Sequence, residues 1–162
     1  MNQAAKEFVV EGLLDTDYRL HLSAGYRLSR ISRLIQTRLE SQLAEIGLTR
    51  MKWCVLASIG LSKISTSSEL ADYIGVTRQA TSRVLVQMRK EGLIDQVLDA
   101  LDGRSRLLKL TPKGIDLLNQ CVPMVEKNRA RFLDKLSKSQ RKEFDRFIDI
   151  ILEGESTPVD SL

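Results

Sequence analysis

Residues 66–88 read TSSELADYIGVTRQATSRVLVQM. Two short helix signatures share one glycine in that run. Thr66 with Glu69 has the spacing of a capping box, in which each side chain satisfies a backbone N–H of the other. Leu70, Ala71 and Ile74 then fall on one helical face. Gly75 supplies the turn. Thr77 is a second cap, and Ala80, Val84, Leu85 and Met88 form the inward face expected of the second helix. A pair of helices this short cannot bury itself, so the chain around it must supply a core. Two helices joined by a tight glycine turn are a helix-turn-helix signature.

The flanks fit that requirement. From Asp17 to about Ile46 apolar residues recur at helical spacing, Tyr18, Leu22, Tyr26, Leu28, Ile31, Leu34, Ile35, Leu39 and Leu43 among them. Gly47 ends that long helix. Thr49 caps a helix to about Ile59, with Trp53, Val55, Leu56 and Ile59 as candidate core. After Gly92 the period changes. Residues 93–98 and 105–110 are short, partly alternating runs around DALDGRS, and their pattern predicts a two-stranded hairpin. Thr111 and Pro112 open another helix, with proline in the first turn where its missing N–H costs nothing. Pro123 is expected to bend or split that helix. Ser137 with Gln140 starts a last one carrying Phe144, Phe147, Ile148, Ile151 and Leu152.

The fold class expected is therefore mainly α with a small β wing: a winged helix-turn-helix domain plus N- and C-terminal dimerisation helices. The segments are an N-terminal arm and long dimerisation helix at 1–48, the winged helix-turn-helix at 49–112 with its wing at 93–110, C-terminal helices at 113–153, and a frayed tail at 154–162. Apolar residues near both ends, from Phe8, Val9, Leu13 and Leu14 to Phe144, Phe147, Ile148 and Ile151, exceed what a small subunit can bury. A two-fold homodimer is the economical solution.

Charge locates the working surface. Lys and Arg number 25 against 21 Asp and Glu, a net charge of +4. Residues 75–113 hold eight basic and four acidic side chains, so this segment carries the whole excess and the remainder sums to zero. A localised positive field suits a polyanion. Arg78, Gln79 and Ser82, at the start of the second short helix, are of the types that read base edges in a major groove. Thr77, Thr81 and Arg83 are placed for phosphate. Arg104 and Arg106 flank the hairpin loop and can reach an adjacent minor groove, with Asp102 aiming Arg104 through a charge-assisted hydrogen bond.

Two pieces, SSELADYIGVTRQATSRVLVQMRKEGLI and DALDGRSRLLKLTPKG, make the chain similar to MarR-family transcriptional regulators over roughly residues 17–152. Asp99, Asp102, Arg104, Leu110, Thr111 and Gly114 fill the family's wing pattern. The resemblance implies a homodimer on a pseudo-palindromic operator in double-stranded DNA. It usually acts as a repressor and is released by a small anionic or phenolic effector. It also makes Thr77–Arg83 the recognition segment, Arg104 the wing-tip arginine and Asp102 its orienting acid. Gln96 and Gly103 stand where the family often has basic residues, so this wing is less charged than usual. An effector site near the junction of the first, second and fifth helices would draw on His21, Tyr26, Arg30, Met51 and Trp53. An aromatic wall with a cation suits an aromatic carboxylate or its thioester.

Other classes find less support. A redox sensor would need a reactive thiolate at Cys54 or Cys121, and both lie in apolar surroundings. An activator and a non-catalytic protein-binding module are the remaining alternatives. One histidine, no metal-ligand spacing, no phosphate-binding glycine loop and no nucleophile–base pair argue against an enzyme, a metal or a cofactor. The N-terminus lacks the pattern of a signal peptide and no apolar stretch is long enough to span a bilayer, so no membrane association and a cytoplasmic location are expected.

Overall fold

The computed structural model describes residues 18–98, 106–155 and 157–159. A 3₁₀ turn at Leu20–Leu22 precedes α1 (Ala24–Ala44), α2 (Arg50–Gly60), α3 (Ser67–Ile74) and α4 (Arg78–Lys90). An antiparallel hairpin follows, β1 (Ile94–Leu98) and β2 (Arg106–Leu110), then α5 (Pro112–Leu133) and α6 (Lys138–Leu152). The fold is mainly α-helical with a small wing. The chain divides into two compact units, Met1–Arg33 and Leu34–Leu162, with the division inside α1.

Helix starts follow the caps. Thr49, Thr66, Thr77, Thr111 and Ser137 each accept a backbone N–H three residues on. Both expected capping boxes form, Thr66 with Glu69 and Ser137 with Gln140. Gly75 ends α3 at φ 77°, a left-handed conformation that glycine adopts at little cost.

One expectation fails and another is narrowed. The first long helix begins at Ala24 because Leu22 and Ser23 donate back to Arg19 and Leu20 in a 3₁₀ turn, and Ser23 leaves it with extended backbone. Pro123 does not split α5, which runs unbroken from Pro112 to Leu133. Pro123 and Asn119 are both exposed, so water can serve the carbonyl that proline leaves without a donor.

The core of the second unit gathers Leu39 and Leu43 of α1, Val55 and Leu56 of α2, Leu70 of α3, Leu85 and Met88 of α4, Ile94 and Leu108 of the hairpin, and Leu118 and Cys121 of α5. β1 pairs with β2 from Ile94↔Leu110 to Leu98↔Arg106. Ser65 adds one more bond to the hairpin, its carbonyl accepting from Leu108 N–H at 2.7 Å.

The Leu110–Gly114 stretch is the hinge post between wing and α5. Thr111 donates its backbone N–H to Leu93 and its hydroxyl to Gly92, at 3.1 and 2.6 Å. Lys113 donates to the Glu91 carbonyl at 2.8 Å. These bonds satisfy the carbonyls of Glu91, the C-cap of α4, and of the two residues after it. A Cβ on Gly114 would run into the Leu93 carbonyl. The wing-motif residues Thr111 and Gly114 therefore join elements; Thr111 is half-buried and Gly114 buried.

Candidate nucleic-acid interface

One face of α4 is fixed by burial. Thr81, Val84, Leu85 and Met88 point into the molecule. Arg78, Gln79, Ser82 and Arg83 fall outside those positions and are exposed. The spacing is that of an amphipathic helix whose outer face is polar and cationic at its N-terminal end. Thr77 holds that end, its hydroxyl accepting from Ala80 N–H at 3.3 Å.

Thr81 corrects the sequence reading. It is 1% exposed, and its hydroxyl donates to the Thr77 carbonyl at 3.2 Å. It replaces the half-buried Ala80 on the inward face and cannot touch a phosphate. Thr77 is also less available than expected, because its N–H already donates to the Val159 carbonyl.

Beside the exposed face runs a cleft of about 330 Å³, lined by Ser67, Ser68, Arg78, Ser82, Leu85, Arg89 and Gln96. Ser67 and Ser68 form the first turn of α3, where backbone N–H groups favour an anion. Arg89, in the last turn of α4, donates to Gln96 Oε1 at 2.6 Å. Gln96 thus holds an arginine at the cleft, although no charge stands at its own position. Sequence reasoning missed Ser68 and Arg89. The second could have been found from helical spacing, since it lies on the same side as Arg78 and Ser82. Arg106 is exposed at the loop end of β2. Asp102 and Arg104 lie outside the described residues.

The back of α4 is anchored by an ion pair. Lys52 of α2 is buried, and its Nζ lies 2.7 and 2.8 Å from the two oxygens of Glu91, the C-cap of α4. Gln87 donates to the same carboxylate at 3.0 Å. The hydrogen bond from Lys52, with Gln87 adding to it, holds the Glu91 carboxyl below its ordinary pKa.

The expected effector residues fall in both units. His21 and Arg30 of the first unit are exposed and Tyr26 is half-buried. In the second unit Met51 and Trp53 both pack against the core. Trp53 lines a cavity of about 290 Å³ with Cys54, Ala57, Ser58, Ser62, Tyr73 and Ile74, and Met51 is not part of it. Ser62 and Tyr73 share a 2.8 Å hydrogen bond there. Burial pushes the Cys54 thiol up, with Arg50 opposing in part, and pushes Cys121 up to about 11. Both shifts reduce the thiolate that redox sensing requires. Among the described residues no cluster of His, Cys, Asp and Glu could hold a metal ion. No described helix is long and apolar enough to cross a membrane.

Comparison with known proteins decides the family. The MarR family model matches residues 46–105. HTH-type transcriptional repressor Rv2887 of Mycobacterium tuberculosis is 30% identical over 125 residues, 77% of this chain and 90% of that protein. The chain belongs to the MarR family. Its winged helix-turn-helix is that of a family of non-catalytic DNA-binding transcriptional regulators. A solved structure of Rv2887 with p-aminosalicylic acid has a TM-score of 0.62 at 27% identity, covering 80% of this chain and 98% of that one. The S. aureus MepR–DNA complex reaches 0.76 at 18% identity, covering 82% and 96%. CouR from Rhodococcus jostii RHA1 bound to p-coumaroyl-CoA reaches 0.75 at 18%, covering 82% and 94%. These last two share the fold.

Proposed function

We propose that this MarR-family protein is a homodimeric repressor that binds a pseudo-palindromic operator and is released by an aromatic acid or its thioester. The exposed polar end of α4 carries the reading: Arg78, Gln79, Ser82 and Arg83 face outward from a helix whose other side is locked into the core. Arg78 and Gln79 suit guanine and adenine edges, and Ser82 suits either. Arg83, the hydroxyl of Thr77 and the Ser67–Arg89 cleft suit the phosphate backbone. Arg106, exposed at the loop end of β2, suits the neighbouring minor groove. Dimerisation is favoured by α6, which has no buried residue and leaves Phe147 and Ile151 more than half exposed.

The effector class follows from the residue types the sequence offers for such a site, an aromatic wall with a cation. The Rv2887 complex with p-aminosalicylic acid and the CouR complex with p-coumaroyl-CoA support ligands of this chemistry. The raised thiols count against redox sensing.

Selection of genomic fragments by the purified protein, followed by a salt-titrated gel shift on the enriched duplex, tests the proposal. The expected result is a two-fold-related site whose affinity falls on the order of 10³–10⁵-fold from 50 to 200 mM salt if ~6–10 phosphates are contacted. Salicylate or p-coumaroyl-CoA should release the bound duplex. Enrichment of no sequence at any salt would refute DNA reading by α4.

A further inference from the structure

The chain beyond α6 returns to the helix-turn-helix. Val159 lies parallel to Val76 in an isolated bridge. Its N–H donates to the Gly75 carbonyl at 2.9 Å, and its carbonyl accepts from the Thr77 N–H at 3.0 Å. Gly75 is the C-cap of α3 and Thr77 the N-cap of α4. The tail therefore docks on the connection that sets the outward helix against its neighbour. Both bonds are main-chain bonds. Val159 is 50% exposed, so apolar burial is not what holds the segment. Pro158 favours extended backbone in the residue before it and offers no N–H through which a further strand could add.

The Thr77 N–H is the amide at the mouth of α4. In a groove-bound helix, amides at this position face the phosphate backbone. Here the amide is occupied by a carbonyl of the same chain. We propose that residues 157–159 are a self-docked segment that competes with DNA for the entrance of α4, so that the tail must leave Thr77 before a phosphate can take its N–H. The inference rests on the DNA-binding reading above and adds a brake to it. A surface that the resemblance assigns to DNA alone has a second occupant, supplied by the chain itself.

The test compares four forms on the enriched duplex: wild type, Val159→Pro, Val159→Ala, and a chain ending at Glu155. Val159→Pro removes the N–H that donates to Gly75 and keeps every charge. Val159→Ala keeps both main-chain bonds. Fluorescence anisotropy at fixed salt should show Val159→Pro and the shortened chain binding about three- to thirtyfold tighter, the net worth of one or two backbone hydrogen bonds. Val159→Ala should match wild type. In the DNA-free protein, the Thr77 amide should exchange slowly in wild type and faster in Val159→Pro. Equal affinity in all four forms, or weaker binding by the shortened chain and Val159→Pro, overturns the brake and leaves DNA reading standing. Binding by none overturns both. A Thr77 amide indifferent to Val159→Pro overturns the docking.

Discussion

Thr81 and Ser82 are neighbours in α4 with opposite fates. About 100° of helical rotation separates them, enough to put Thr81 in the core and Ser82 in the cleft beside Arg78. A threonine can be buried where its hydroxyl finds a carbonyl one turn back, as Thr81 finds Thr77. Replacing Thr81 with Val keeps the shape and removes that bond. The expected cost is about 1 kcal/mol in urea denaturation, with the ratio of enriched to scrambled duplex affinity unchanged. The outward side chains of α4 were legible from composition and capping. Thr81 was not, because a polar side chain one position from an exposed one gives no local sign of its own partner. Gly114 makes the converse case. Alanine there gains up to about 1 kcal/mol of helix propensity but must displace the Leu93 carbonyl, which is held by Thr111 N–H. Strain of this kind costs about 1–3 kcal/mol, so Gly114→Ala should lower the urea midpoint.

Elements were legible where their signals are local. Caps, the Gly75 turn and the hairpin period all act within four or five residues, and each start they marked was found within a residue. Links across the sequence were not legible. Val159 on Thr77 and Lys52 on Glu91 join residues far apart, and no periodicity announces them. The Lys52–Glu91 link has a pH consequence. The folded Glu91 carboxyl titrates below its ordinary value of ~4.3, so its stabilising contribution is complete above that value and is lost as pH falls through the lower folded value. Lys52→Met should lower stability at pH 7 and flatten its fall between about pH 5 and 3 relative to wild type, measured by thermal unfolding across that range. A fall as steep as in wild type would place the acid sensitivity elsewhere.

At the scale of the molecule, charge and apolar surface are separated along the chain. The excess of positive charge lies in residues 75–113. Exposed apolar residues gather on α6, with Phe147, Ile150, Ile151 and Leu152 each more than half exposed. Patches of this kind mark interfaces between subunits. Sedimentation should give a dimer at micromolar concentration, and Phe147→Glu with Ile151→Glu should shift it to monomer and weaken operator binding. Both arms serve one claim, that the outward end of α4 reads DNA sequence. It is tested most directly by the affinities of wild type, Arg78→Ala and Gln79→Ala for the enriched duplex and for a scrambled one of equal length at one salt concentration. Each substitution should cost about 1–3 kcal/mol on the enriched duplex and much less on the scrambled one. Equal losses on both would contradict the claim.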